Sequence, residues 1–232
     1  MRKLGLGTTV ALIATPLMAL PAWAIPACPT AGGISTYTAT GYECTVDGGA
    51  ITFSNISFAI TTAGGGSVTL TSISPINPAT GEYGLDLNYS ATAPNANATA
   101  DVKWSYDVSG NLLDDAYAAV TGTVTGSGIL TVSESLTNSS TGVSLASINL
   151  VAPDTLTETV TYTPTEYVGV VKDLADYTGS GTGTSGSSDL QNAFSMTATP
   201  IPGALPLFAG GLVVLWALRK KPTKGRLNSA LG

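Results

Sequence analysis

The stretch Asp101-Val-Lys-Trp-Ser-Tyr-Asp-Val108 alternates strictly between polar and apolar side chains. Val102, Trp104, Tyr106 and Val108 share one face, and the residues between them share the other. A period of two is typical of a β-strand that buries one face. The stretch therefore predicts a strand whose aromatic face lies in a hydrophobic core.

Similar patterns recur between Cys44 and Ala198, as in Leu85, Leu87 and Tyr89. Further strand candidates, most of them rich in β-branched residues, cover 51–60, 68–70, 117–124, 129–136, 143–151, 156–163, 166–171 and 192–198. Their spacing of about ten residues is typical of sandwiches and barrels. The sequence predicts an all-β fold, a single antiparallel β-sandwich over 25–198, and both jelly-roll and immunoglobulin-like topologies fit.

The segment Thr178–Ser188 consists mainly of Gly, Ser and Thr. This composition is typical of flexible connections. We expect a long flexible loop here, followed by a closing strand with Phe194 and Met196 on one face.

The N-terminus has the three parts of a secretory signal peptide. Arg2 and Lys3 come first, an apolar run extends from Val10 to Leu20, and Ala22-Trp-Ala24 supplies a small-x-small cleavage site. We expect residues 1–24 to be a signal peptide that is removed after Ala24.

The C-terminus predicts one membrane span. Ile201–Leu218 contains no charged residue, and as a helix it would be about 27 Å long, close to the thickness of a hydrocarbon core. The cations Arg219, Lys220 and Lys221 follow it and favour a cytoplasmic end. We expect a transmembrane helix at about 203–218 and a basic tail at 219–232.

This C-terminal arrangement resembles the PEP-CTERM sorting signal, which exosortase enzymes recognise and cut in Gram-negative bacteria. Pro200-Ile201-Pro202 matches the Pro-x-Pro box, with Ile201 in place of the usual glutamate, and Ala204–Phe208, a Gly-Gly pair and the basic tail follow it. The resemblance implies an exosortase-like processing enzyme as partner, a single-pass intermediate in the inner membrane, and a final location at the cell surface or outside the cell. Four short patterns lie in the middle of the chain: Gly41-Tyr-Glu-Cys44, Phe53–Phe58, Trp-x-Tyr-x-Val at 104–108 and Val132-Ser-Glu134. Together they resemble uncharacterised PEP-CTERM ectodomains, which implies a shared fold and no particular activity.

The exported part is strongly acidic. All 15 acidic residues lie between Glu43 and Asp189, where Lys103 and Lys172 are the only cations, so this region carries a charge of 2 − 15 = −13. Such a surface repels phosphate backbones and excludes nucleic acid as a partner.

Two cysteines, Cys28 and Cys44, lie near the expected mature N-terminus. In an oxidising compartment such a pair predicts a disulfide. The alternative is a lipobox, Ile25-Pro-Ala-Cys28, with Cys28 as an acylated N-terminus, although this would leave Cys44 unpaired. A metal site is not expected, because two thiols without histidine cannot complete the usual zinc ligand set.

The chain has no histidine, which excludes Ser-His-Asp, Cys-His and His-based metal catalysis. Glu134 and Glu158 each lie on an apolar strand face, where a carboxyl with a raised pKa could act as a general acid. The alternative is structural: an inward charge that protects an edge strand, or a glutamate at the sheet rim. Asp107–Asp115 resembles a calcium loop in its alternating oxygens, but a hairpin turn at 109–111 explains the same residues.

These observations favour a non-enzymatic surface or extracellular-matrix protein with no catalytic residues and no cofactor. The alternative is a carbohydrate- or calcium-binding sandwich, with exopolysaccharide as a candidate partner. A glycan-active enzyme that uses Glu134 and Glu158 is the third hypothesis.

Overall fold

The computed structural model describes residues 24–154 and 156–197. It confirms the all-β class: these residues form eight strands, a four-residue helix α1 (Ile34–Tyr37) and a short 3-10 turn (Asp47–Gly49). The strands are β1 (Gly32–Gly33), β2 (Glu43–Val46), β3 (Ile51–Ala63), β4 (Ser67–Ile76), β5 (Glu82–Ala93), β6 (Thr99–Thr137), β7 (Ser144–Ala152) and β8 (Thr157–Ser195).

Apart from Ala24, both predicted targeting segments lie outside the described residues. The sorting motif Pro200-Ile201-Pro202 and the basic cluster Arg219-Lys220-Lys221 therefore stay predictions. Within residues 24–154 and 156–197, no helix is long and apolar enough to cross a bilayer.

The long strands β6 and β8 each contribute three segments to the fold. The middle segment of β8, 167–177, lies between the first and last segments of β6, 99–109 and 128–137. The middle segment of β6, 115–125, lies between the first and last segments of β8, 157–161 and 184–193. Each long strand therefore passes from one layer to the other and back.

Two layers result from this pairing. The front layer runs in the order β2, β3, first segment of β6, middle segment of β8, last segment of β6, β7. The back layer runs in the order β1, β4, β5, last segment of β8, middle segment of β6, first segment of β8. All neighbouring strands are antiparallel, so the predicted antiparallel sandwich is confirmed, with layers that are joined by continuous strands.

The predicted strands at 101–108, 117–124 and 129–136 are confirmed as β-strand, but they are successive segments of the single strand β6 and not separate strands. No hairpin forms at 109–111, because the first segment of β6 pairs with β3 and β8 instead of with the segment that follows it. The chain bends into the other layer at Leu112, whose φ of 57° lies in the left-handed region.

The predicted flexible loop at Thr178–Ser188 was also wrong, since this segment belongs to β8. Glycines in this segment and in the facing part of β6 permit a close approach of the two backbones. A Cβ on Gly128 would lie 2.0 Å from the carbonyl oxygen of Thr184, and one on Gly183 would lie 2.4 Å from that of Thr125. Glycine is present here because the neighbouring strand leaves no room for a side chain.

The core lies between the layers and has the predicted faces. Val102, Trp104, Tyr106 and Val108 are all buried on the inner side of the front layer. The back layer contributes the predicted face of Leu85, Leu87 and Tyr89, also buried.

The predicted disulfide between Cys28 and Cys44 is present, with 4.7 Å between the two Cα atoms. It fastens the N-terminal segment to β2, where Cys28 N donates to Thr45 O at 2.9 Å and Thr45 N donates to Pro26 O at 2.8 Å. This pairing disfavours the lipobox alternative, which requires Cys28 to be a chain terminus.

Substituting Gly128→Ala tests the close approach of the two strands. We expect a loss of about 1–3 kcal/mol in the free energy of unfolding, because the new methyl group meets backbone that must move. Gly179→Ala is the matched control, since its Cβ meets nothing nearer than 3.7 Å and should change stability by no more than about 0.5 kcal/mol. Urea unfolding of the full chain measures both, and equal effects would contradict the assignment.

Candidate functional site

Glu134 lies inside the sandwich, on the last segment of β6, directly opposite Lys172 on the middle segment of β8. The Lys172 ammonium donates to Glu134 Oε2, and both side chains have 0% exposure. Burial raises the pKa of the Glu134 carboxyl, while the Lys172 charge opposes the rise. Burial lowers the pKa of Lys172, and Glu134 opposes that change. A substrate cannot reach Glu134 here, so the structure does not support its role as a glycosidase acid.

A polar network extends from this ion pair to the back layer. Lys172 Nζ lies 3.4 Å from the carbonyl oxygen of Gln191. The Tyr106 hydroxyl donates to Asn192 Oδ1, and Asn192 Nδ2 donates to the carbonyl oxygen of Tyr117 at 2.7 Å. Burial raises the pKa of Tyr106 well above its ordinary value, so its phenol keeps the proton that it donates.

A second buried contact joins the layers at Asp176. Its two carboxylate oxygens accept hydrogen bonds from the hydroxyls of Ser185 and Ser187 on the last segment of β8. Burial raises the pKa of Asp176, and the two serine hydrogen bonds oppose the rise. These serines lie in the segment that we expected to be a flexible loop.

Sequence reasoning missed Lys172 as a partner of Glu134, although a signal exists. Val168, Val170, Lys172, Leu174 and Asp176 alternate along the middle segment of β8, and all five are buried. A lysine on such a face needs an anion beside it.

Glu158 lies at the rim of the sandwich, and its charge is close enough to contribute to the raised pKa of Glu134. It is half-buried, and its Oε2 accepts a hydrogen bond from the backbone N–H of Asn149 on edge strand β7 at 3.0 Å. This position agrees with the alternative that Glu158 is a glutamate at the sheet rim. Its carboxylate accepts a hydrogen bond from a backbone N–H of an edge strand.

The calcium candidate Asp107–Asp115 does not form a loop with converging carboxylates. Asp107 accepts from Asn55 at 2.7 Å, whereas Asp114 accepts from Thr197 Oγ1 at 2.7 Å. Asp115 accepts from the backbone N–H of Ser195 at 2.8 Å. Across 24–154 and 156–197, no group of three or more acidic, histidine or cysteine side chains is placed to hold a metal ion.

Two adjoining depressions occupy the outer face of the front layer and are together called the front groove. One, of about 270 Å³, is lined by Asn55, Ser105, Tyr106, Asp107, Thr137, Ser139, Gly169, Val170 and Val171. The other, of about 360 Å³, is lined by Gly49, Ala50, Thr52, Ser109, Gly110, Asn111, Glu166 and Tyr167. The two depressions adjoin because their residues follow one another along the same strands. Asp107 of the first and Ser109 of the second are successive outward residues of β6, and Gly169 and Tyr167 are successive outward residues of β8.

Backbone features shape the front groove. The register of β3 shifts between Ser54 and Ser57, and Asn55 within this bulge has a φ of 55°. The bulge turns Asn55 toward Asp107, to which its Nδ2 donates. Gly169 lies opposite Asp107 and leaves the floor open, since a Cβ there would lie 3.0 Å from Thr137 Oγ1. Tyr167 stands at one side with 48% of its surface exposed.

A larger depression of about 530 Å³ lies beside the disulfide. Its lining is mostly apolar and includes Ile25, Pro75 and Ile76. Its one aromatic ring is Tyr83, whose pKa is raised chiefly by a hydrogen bond with Asp47. The front groove has the richer set of hydrogen-bonding side chains.

No family model and no curated protein match the chain. Among solved structures, the chain is similar to TmCBM61 in complex with β-1,4-galactotriose, with 9% identity over 58% of this chain and 86% of that one, and a TM-score of 0.32. It is also similar to the family 11 carbohydrate-binding module from Clostridium thermocellum in complex with a β-1,3-1,4-mixed-linked tetrasaccharide (10% identity, 61% and 89% coverage, TM-score 0.28). A third is the enzymatically active domain of bacteriophage CBA120 tailspike protein 4 (12% identity, 60% and 19% coverage, TM-score 0.31). Likenesses at this level establish neither a shared ligand nor a shared activity.

Substituting Ser187→Ala tests whether the 178–188 segment is held by Asp176. We expect a loss of about 1.5–3 kcal/mol in the free energy of unfolding, because a buried carboxylate loses a hydrogen bond. Ser188→Ala is the control, since Ser188 is exposed and contacts only Asp189, its neighbour in sequence, by a side-chain hydrogen bond. If both variants unfold at the same urea concentration as the parent, the hydrogen bond between Ser187 and Asp176 does not stabilise the fold measurably.

Proposed function

We propose that this chain is a non-enzymatic, exported polysaccharide-binding protein and that the front groove holds the glycan. The observation that carries the proposal is the lining of the groove: an exposed tyrosine ring beside two carboxylates, two amides and several hydroxyls.

This set of groups suits a sugar. A pyranose presents pairs of hydroxyls, each both donor and acceptor, and an apolar C–H face. Carboxylate and amide side chains bind hydroxyls with defined geometry, and Asp107 and Asn55 already hold each other in place. The exposed ring of Tyr167 offers a flat apolar surface for the C–H face, while its hydroxyl stays solvated.

The charge of the groove favours neutral glycans. Among the described residues, Glu166 and Asp107 lie in its lining, and no lysine or arginine does. Of the two cations between Glu43 and Asp189, Lys172 is sealed in the core and Lys103 pairs in register with Asp173. A uronic-acid polymer would meet repulsion without a compensating cation.

Tyr167→Ala tests the groove, with Tyr177→Ala as the matched control. Both tyrosines are exposed on the outer face of the middle segment of β8, ten residues apart, but only Tyr167 lines the groove. We expect Tyr167→Ala to weaken binding of a neutral polysaccharide about tenfold, from the loss of roughly 1.4 kcal/mol of ring contact, and Tyr177→Ala to leave binding unchanged.

Affinity electrophoresis of the full chain through gels that contain neutral or uronic-acid polysaccharides measures these effects. Retardation by neutral glycans alone is expected. Equal retardation of both variants, or no retardation by any neutral glycan, would refute the groove as the binding site.

We further propose that residues 199–232 are a sorting signal of the PEP-CTERM type that an exosortase-like enzyme removes. The support is the Pro200-Ile201-Pro202 box, the apolar run and the cluster Arg219-Lys220-Lys221. The acidic ectodomain and the disulfide are consistent with export.

Deleting residues 199–232 tests this signal in an exosortase-bearing host. We expect the full chain to pass through the inner membrane fraction to the cell surface, and the truncated chain to be released in soluble form. Mass spectrometry of surface protein supplies the second readout. Recovery of an intact Leu212–Lys221 peptide from the mature surface form would contradict removal of the tail.

A further inference from the structure

We propose that Lys172 and Asn192 form an intramolecular isopeptide bond inside the sandwich, with Glu134 as the proton carrier. The proposal concerns a self-modification of the core and is independent of glycan binding. It starts from an enclosed cluster of an amine, a carboxyl group and a carboxamide.

The amine is placed between an acid and aromatic rings. In the front layer, Lys172 lies opposite Glu134 on one side and opposite Trp104 on the other. The Trp104 ring centroid lies 4.7 Å from that of Tyr106, and all four side chains are buried. Such an apolar enclosure disfavours the charged forms of the acid and the amine and favours proton transfer from Lys172 to Glu134. The product is a neutral amine, which is the nucleophilic form of lysine.

The carboxamide enters the same enclosure from the back layer. Asn192 is fully buried, and Lys172 Nζ lies 3.4 Å from the carbonyl oxygen of Gln191, the residue next to it. The Asn192 amide is near enough to Glu134 to lower the pKa of that carboxyl. Within the described part of the chain, Glu134 Oε1 has no hydrogen-bond partner of good geometry, although it is buried. An unpartnered carboxyl oxygen between an amine and an amide is suited to moving a proton between them.

Tyr106 supplies the hydrogen-bond donor that the tetrahedral intermediate needs. Its hydroxyl donates to Asn192 Oδ1, the oxygen that gains negative charge when an amine attacks the carboxamide carbon. The other amide atom, Nδ2, donates to the carbonyl oxygen of Tyr117, which fixes the orientation of the carboxamide.

The reaction balances without an oxidant or a co-reactant. The Nζ lone pair of neutral Lys172 attacks Cγ of Asn192, and Tyr106 stabilises the tetrahedral oxygen. Glu134, which holds the proton it first accepted from Lys172, delivers that proton to Nδ2 and then takes a second proton from Nζ. The Cγ–Nδ2 bond breaks, ammonia leaves, and the Nζ–Cγ amide remains.

Mass spectrometry of the full chain, reduced and denatured, tests the proposal. We expect a mass lower than that of the unmodified chain by one ammonia. Cleavage before aspartates separates Lys172 from Asn192 at Asp173, Asp176 and Asp189. The fragment 154–172 and the fragment that begins at Asp189 should therefore remain covalently joined. If folded protein yields separate fragments and loses no ammonia, the proposal is wrong.

Variants assign the roles. Glu134→Gln retains a polar group next to Lys172 but cannot accept the proton, so we expect the two fragments to separate and the ammonia to be retained. Lys172→Arg should give the same result, since a guanidinium stays protonated. Lys103→Arg, at the other lysine of the acidic region, should keep the cross-link. A cross-link that persists in Lys172→Arg would refute the assignment.

Discussion

The pairing of β6 with β8 is the constraint on which the rest of the structure depends. The middle segment of each strand lies between two segments of the other, once in the front layer and once in the back layer. Neither layer is complete without both strands, so the sandwich cannot separate into independently stable sheets. The same pairing requires the chain to cross between layers without an intervening loop. The glycines at 126–128 and 183 meet this requirement, because side chains there would collide with the backbone opposite.

The polar groups in the core are best understood as consequences of that pairing. Glu134, Lys172, Asp176 and Asn192 are all fully or almost fully buried, and burying such groups has a large desolvation cost. Their positions nevertheless match the register in which β6 pairs with β8. A slip of β8 by one residue would turn Lys172 outward and bring Val171 into the core, leaving Glu134 as an unpaired buried charge. The ion pair therefore penalises incorrect pairings, which a uniformly apolar face would tolerate.

The sequence predicted features that depend on local pattern and missed those that depend on long-range pairing. The alternation at Val102–Val108 was sufficient to place a buried aromatic face, and a pair of cysteines in an acidic chain with an expected signal peptide was sufficient to predict their bond. The crossing of β6 between layers has no local signal, because its neighbours come from β3 and β8. The Gly and Ser content of the segment 178–188 indicates a loop, whereas Asp176 accepts hydrogen bonds from two of its serines and holds it in the sheet. The front groove was also beyond prediction, since it needs Gly169 to lie opposite Asp107 and Asn55 to lie in a bulge.

Because β-strand side chains alternate, the middle segment of β8 builds the core and the groove at once. Val168, Val170 and Lys172 point inward, while Tyr167, Gly169 and Val171 point outward. The contacts that fix the inner residues therefore also fix where the tyrosine ring stands relative to Asp107. Rigid placement of this kind lowers the entropy lost when a ligand binds. The buried contact between Glu134 and Lys172, which no ligand can touch, would thus contribute to ligand binding by holding the register from which the exposed face is built.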